Sequence, residues 1–370
     1  MNENVVINAP GFTRKPGLTG KPVVLITGAG GFIGGWIAEA LHLAKFGEIR
    51  AGISRWSSAA RIARFPVEIV QCDIMDEASL DAALKGVDIV VHCARGKGND
   101  NSVTTGGTRM LIERIKAAGV SKLVFTSSVA VYGDATGIVR EDTPPVQPVT
   151  EYGQGKRDAE AICEQYADER LAISVIRPTL VYGPFSDLWT APYLTRFASG
   201  KWHALGERGE GKCNLVYVGD VVRFVRFLID NDVGSYAVFN ANGPEVPTWN
   251  SYLERFNAAL GYPPLKAPDR SLGVKVMMRR PVRMFGKYML ANHRELLLSA
   301  ANRSPQLKSL MKKTEEDLRL KPSDDDMQRF AMDVTYSMDK AAKAGFVPQT
   351  SVDDGIAMTV DWARSSGLAA

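Results

Sequence analysis

Tyr152 and Lys156, in the pentapeptide YGQGK, stand four residues apart. On a helix that spacing stacks the two side chains on one face. The chemistry on offer is proton transfer: a free phenol titrates at about 10, too high for a base at neutral pH, and a neighbouring ammonium favours the phenolate. A surface pair would show the same spacing. A second stretch has a different use. TGAGGFIG, residues 27–34, puts glycines at 28, 31 and 34 directly after the apolar run VVLIT and at the head of the helical run FIGGWIAEALHLA. Glycines permit positive φ and let a backbone approach a pyrophosphate, whose charge the helix N-terminus then meets. Strand, glycine turn and helix come in the order that dinucleotide binding requires, a context that a mere tight turn does not need.

These groups need a scaffold, and the apolar rhythm supplies one. VVLIT (23–27), IRAGIS (49–54), VEIVQC (67–72), DIVVHC (88–93), KLVFTSS (122–128) and AISVIRP (172–178) read as buried strands, separated by helices over 32–45, 77–85 and 105–118. Such alternation predicts a parallel sheet with helices on both faces, an α/β doubly wound fold. Past Gly183 the rhythm loosens, and NLVYV (214–218) and YAVFNA (236–241) read as further returns to the sheet. The expected organisation is an N-terminal arm over 1–20 and a dinucleotide-binding domain over 21–183 plus 213–243. A smaller, discontinuous substrate-binding lobe takes 184–212 and 244–370, with substrate expected in the cleft between lobes.

Composition narrows the classes. The chain has 370 residues, 45% of them hydrophobic, which suits one large domain or two lobes. Its four cysteines lie far apart, without the spacing of a zinc site or a redox dithiol, so reduced thiols in a cytoplasmic protein and no metal are expected. No run of about eighteen apolar residues occurs, which predicts no transmembrane segment, and the polar start lacks a signal-peptide core. Net charge is +4, but residues 275–313 carry ten Lys or Arg against one acid, Glu295. Solvated helix faces or contact with an anionic surface both account for that block, and no nucleic-acid module accompanies it.

The glycine spacing, GxxGxxG in place of the commoner GxGxxG, resembles that of the extended short-chain dehydrogenase/reductases, the NAD(P)-dependent epimerase/dehydratase group. Other stretches are similar in order: Asp73 in CDI, HCA at 92–94, FTSSVAVYG at 125–133, YGQGK, RPTLVYGP at 177–184 and LVYVGDVV at 215–222, with a weaker echo at 344–356. The resemblance implies a Rossmann-type domain, a small-molecule substrate, a homodimer as the group's habit, and catalytic Ser128, Tyr152 and Lys156. Ser128, four residues before Tyr132, occupies the place of the group's substrate-polarising hydroxyl, and strand alternation turns Ser127 the other way. The implied mechanism is hydride transfer between a carbinol carbon and nicotinamide. Tyr152 moves the hydroxyl proton, Ser128 bonds the same oxygen and Lys156 holds the nicotinamide ribose. Implied cofactor contacts come from Gly28, Gly30, Gly31, Phe32, Ile33 and Gly34, from Ser54 and Arg55, from Asp73 and Ile74, from Cys93, Ala94 and Arg95, and from Lys156 and Pro178. At the end of the second strand an acid would accept the adenosine ribose and repel a 2'-phosphate. Ser54-Arg55 stands there instead, which favours NADP(H) over NAD(H).

Departures from the group's pattern narrow the reaction. Val129 and Ala130 stand where the 4,6-dehydratases carry Asp-Glu, which disfavours that elimination. Thr179 and Asn214 replace the Asn and Arg that contact a diphosphate in nucleotide-sugar members, and VTTGGT at 103–108 has Thr for the helix Asn. The expected function is hydride transfer at a secondary hydroxyl or ketone of a sugar or nucleotide sugar, as a reductase or an epimerase. Reduction of a non-sugar ketone or aldehyde, steroid-like or phenolic, stays open, as does a non-catalytic dinucleotide-binding module. Tyr182, Phe185, Trp189 and Arg196 are candidates to line the substrate pocket, whereas His92 reads as core and His203 and His293 show no partner pattern.

Overall fold

Apolar runs bounded by glycine or polar turns become the strands of a parallel sheet. In the computed structural model of the protein the described residues are 21–96, 101–147, 149–267, 320 and 322–369. The arm 1–20, the basic segment 275–313 and His293 lie outside them. In chain order the strands are β1 (Val23–Thr27), β2 (Glu48–Ile53), β3 (Glu68–Gln71), β4 (Ile89–His92), β5 (Lys122–Thr126), β6 (Gly137–Val139), β7 (Ala172–Pro178), β8 (Leu180–Tyr182), β9 (Leu215–Tyr217), β10 (Tyr236–Ala241) and β11 (Val334–Tyr336). Seven of them form one sheet in the order β10-β7-β5-β4-β1-β2-β3, with every pairing parallel. This is the Rossmann-type doubly wound arrangement that the alternation predicts. Strand order reverses between β1 and β4, and it is at the carboxyl edge of such a switch point that open α/β sheets bind ligands.

Helices cover both faces. Helices α2 (Glu77–Leu84), α3 (Asn101–Ala117) and α4 (Glu151–Tyr166) close one side, burying Leu80, Leu111, Ile112, Ile115, Ala159 and Ile162 against Leu25, Val90, Leu123, Phe125 and Val175. On the other side α1 (Phe32–Leu43) packs with the helix Val218–Asp230, and Ile37, Leu41, Val221 and Phe224 are all fully buried. Each such side chain contributes about 1.5–3 kcal/mol of transfer free energy, so the layers hold without special contacts.

The chain divides into two compact units, the first comprising residues 1–186, 214–245 and 334–352, the second 187–213, 246–333 and 353–370. Residues 334–352, read from sequence as part of the second lobe, belong to the first. There β11 pairs with β6, and the backbone amides of Gln349 and Thr350 donate to the buried Asp220 carboxylate at 2.9 and 3.0 Å. YAVFNA does return to the main sheet as β10. NLVYV instead supplies β9, which among the described residues pairs with β8, the strand that follows directly on β7, in a separate two-stranded sheet. The second unit has an aromatic core: Trp249 lies 4.6 Å from Phe330 between ring centroids, and Phe197 meets Phe256 edge-on at 5.6 Å.

Candidate active site

The glycine turn is shaped by backbone contacts. Gly28 has φ +69°, and a methyl group on it would lie 2.8 Å from the Ala94 amide nitrogen in the loop after β4. On Gly34 a methyl would sit 2.4 Å from the Gly28 carbonyl oxygen, so only glycine lets α1 start this close to the turn. Gly31 occupies the N-cap of α1 with no side-chain cap, and the first turn carries no acid. The helix therefore presents amide donors and the positive end of its dipole where a pyrophosphate would bind. This cradle, which any Cβ would fill, fits a dinucleotide. Gly30 has its own role, since a methyl there would meet the Ser58 carbonyl at 2.5 Å where the loop after β2 folds over the turn.

Around the cradle, Ser54 and Arg55 are exposed at the end of β2, and no acid pairs with Arg55 among the described residues. Asp73 holds its own turn by accepting the Met75 amide at 3.0 Å, and Ile74 is buried against Gly107 of α3. Cys93, with its thiol pushed up to about 11 by burial, lies 3.4 Å from the Thr126 hydroxyl, and all four cysteines are free. Pro178 ends β7 in register with Ala241. Phe32 and Ile33 open α1, half-buried behind the turn.

The candidate reacting end is assembled from β5, α4 and the loop after β4. Thr150 caps α4 by accepting the Gly153 amide at 3.0 Å, which sets Tyr152 in the first turn and Lys156 one turn on. Two glycines press the helix in: methyls on Gly153 and Gly155 would meet the Ala130 carbonyl and the Asn101 side chain, both at 2.3 Å. Ser128, extended after β5, lies close enough to Tyr152 to act on its phenol, and its Oγ accepts the Ala130 amide at 3.2 Å. Lys156 is 3% exposed; its Nζ donates to the Thr126 carbonyl at 2.7 Å and lies 4.7 Å from the Phe125 ring centroid. Burial pulls this ammonium down to about 8.

Two expectations change here. Burial raises the Tyr152 phenol above its ordinary value, Ser128 opposes that rise, and the cation that opposes it is Arg95, not Lys156. The Arg95 guanidinium stands 5.9 Å from the Tyr152 ring centroid, while Lys156 is turned to the sheet. No local signal tied Arg95 to Tyr152; Arg95 follows β4 and Tyr152 opens α4, and the packing of that helix on the sheet brings them together. The second change concerns the pocket candidates. Tyr182 is 1% exposed, edge-on to Tyr217 with its hydroxyl 3.5 Å from the Val352 carbonyl, and so is core and not pocket lining. In the second unit Arg196 is enclosed by Tyr193 and Trp202 and faces Asp326 at 3.6 Å, and Trp189 packs on Trp249 beneath Arg329. Phe185 alone of the four is exposed, at φ +70° under the Arg61 guanidinium.

Behind the site runs a buried polar network that sequence reasoning missed. Ser127 turns away from Tyr152 and donates to Glu160, which pairs with Arg177 at 2.6 Å. Arg177 donates at 2.7 Å to the Tyr132 hydroxyl, which in turn donates at 2.6 Å to Asn240. His92 is core: it contacts the Thr27 and Thr108 hydroxyls, and burial takes it down to about 3, so it is neutral. His203 rests on the Ala267 carbonyl at 3.0 Å. Among the described residues no cluster has the ligands for a metal ion, and no helix is long and apolar enough to cross a membrane.

Strand, glycine turn, uncapped helix and the switch in strand order define a dinucleotide-binding protein of the Rossmann type. Residues 24–241 match the NAD dependent epimerase/dehydratase family, and the chain belongs to it. It is 32% identical to the N-acetyl-alpha-D-glucosaminyl-diphospho-ditrans,octacis-undecaprenol 4-epimerase of Escherichia coli O157:H7, over 59% of this chain and 66% of that protein. Identity to the human sterol-4-alpha-carboxylate 3-dehydrogenase, decarboxylating, is 28% over 51% of this chain and 55% of that one. In both cases the match spans less than two thirds of the relative. Among solved structures the chain is similar to the UDP-glucose 4-epimerase of Thermotoga maritima with UDP-glucose, at a TM-score of 0.66 and 21% identity, covering 93% of this chain and 99% of that one.

Proposed function

We propose that the protein is an NADP(H)-preferring oxidoreductase or epimerase acting by hydride transfer at a secondary hydroxyl or ketone of a sugar or nucleotide sugar. The observation that carries this is Ser128 beside Tyr152, with Lys156 one turn on and Arg95 5.9 Å from the Tyr152 ring centroid, next to a backbone cradle for a dinucleotide. A bound nicotinamide would supply or accept the hydride. Tyr152 then takes the carbinol proton in oxidation and returns it in reduction, Ser128 bonds the same oxygen, and Lys156 holds the cofactor ribose. Epimerases among the relatives support the sugar reading. Exposed Ser54 and Arg55, with no acid at the end of β2, support NADP(H).

One observation favours a second reading, reduction of a non-sugar carbonyl. Thr179 and Asn214 are buried, and both are used internally: Thr179 Oγ donates to Asn242 at 3.1 Å, and Asn214 Nδ2 donates to the Val334 carbonyl at 2.8 Å. Neither faces a diphosphate, and a sterol dehydrogenase is among the relatives. The experiment is to denature purified protein, identify the released dinucleotide, and assay native protein with NADPH against nucleotide sugars and simple ketones. Stoichiometric NADPH consumption marks a reductase, and product without net consumption marks an epimerase. Turnover of every accepted substrate by Tyr152→Phe at the wild-type rate would sink both readings.

A further inference from the structure

We infer that Arg95 holds a carboxylate of the substrate, carried close to the carbinol carbon that Tyr152 serves; the inference deepens the proposed function and rests on it. Arg95 leaves β4 on the loop that meets Gly28, and its guanidinium stands 5.9 Å from the Tyr152 ring centroid. It is exposed, and among the described residues no carboxylate pairs with it. Most arginines described here are engaged otherwise: Arg50, Arg61, Arg114, Arg177 and Arg223 each meet an acid. An unpaired guanidinium one ring-width from a reacting phenol is placed to fix one end of a substrate whose other end meets Tyr152. Among the described residues the other cation nearby, Lys156, is buried and donates to the Thr126 carbonyl. A single planar guanidinium fork suits a monoanionic carboxylate bound bidentately. The same charge opposes the rise that burial imposes on the Tyr152 phenol, so a substrate carboxylate that neutralises Arg95 also adjusts the base.

The test uses full-length protein loaded with NADPH, titrated with UDP-glucuronic acid and, in parallel, with UDP-glucose, reading occupancy from the fluorescence of the bound NADPH. Wild type is expected to bind the acid roughly ten- to hundredfold more tightly than the neutral probe. Arg95→Ala is expected to bring the acid to the affinity of the neutral probe, and Arg95→Lys to keep part of the difference. Equal responses of wild type to the two probes, no response included, overturn the inference. So does a preference for the acid that survives in Arg95→Ala. Tyr152→Phe, run alongside, is expected to keep the preference while losing turnover; turnover that persists there defeats the catalytic reading and leaves the binding result to stand by itself.

Discussion

The two ends of the candidate site are built from different material. At the cofactor end nearly every feature is backbone: positive φ at Gly28, the close approach of Gly34 to Gly28, and an uncapped helix start at Gly31. At the reacting end nearly every feature is a side chain, and the four come from three elements: Ser128 after β5, Tyr152 and Lys156 from α4, Arg95 after β4. A backbone cradle is specified by a few contiguous residues and tolerates no added atoms. A side-chain site is specified by packing, and its members can be removed one at a time.

Substitution should therefore separate the two ends. The largest effect is expected for Tyr152→Phe: turnover falls roughly 10²- to 10⁴-fold, while NADPH affinity by fluorescence titration stays at the wild-type value. Glu160→Gln strips the partner from a buried Arg177 and is expected to cost about 3–5 kcal/mol of unfolding free energy in a denaturant titration. A small loss there would mean that the network behind Ser127 does not hold the reacting end together. Gly34→Ala should cost about 1–3 kcal/mol in cofactor affinity, because the added methyl must push α1 off the turn. Wild-type NADPH binding by that variant would break the contrast between the two ends.

Lys156 sharpens the comparison through pH. Its folded-state value of about 8 lies below the ordinary 10.5, so the unfolded chain keeps this proton where the folded chain has lost it. The folded state is thus penalised fully below about 8, and the penalty fades as pH rises toward 10.5. Lys156→Met is expected to stabilise the cofactor-free protein by about 1–3 kcal/mol at pH 7, less at pH 10, while weakening NADPH binding. Thermal melts at the two pH values check the sign. The smallest expected effect is on cofactor choice: Arg55→Asp should reverse the preference between NADPH and NADH by several-fold in kcat/KM.

Much of the sheet is legible in the sequence because its strands are short apolar runs with abrupt polar ends. VVLIT, AISVIRP and YAVFNA coincide with β1, β7 and β10. NLVYV was legible as a strand and not as to partner, since pairing depends on which edge lies nearest in three dimensions. The glycine turn could be read because its reason is local. Arg95 against Tyr152, and Ser127 against Glu160, could not, because parallel strands and a packed helix create those neighbours. The pocket candidates show the converse failure. Aromatic and cationic residues after β7 have the composition of a binding surface, yet Tyr182 and Arg196 use the same chemistry to pack against their own chain.

Asp220 sets an order on the making of the protein. Two of the donors to its carboxylate are backbone amides, and that of Thr350 arrives 130 residues later. At ribosomal rates this is a wait on the order of ten seconds. During it, the nascent chain has the stretch that forms its glycine turn and the candidate site, while a carboxylate destined to be 1% exposed has, among its described charged partners, its helical neighbour Arg223. The final closure of the first unit therefore waits until Gln349 and Thr350 have been made.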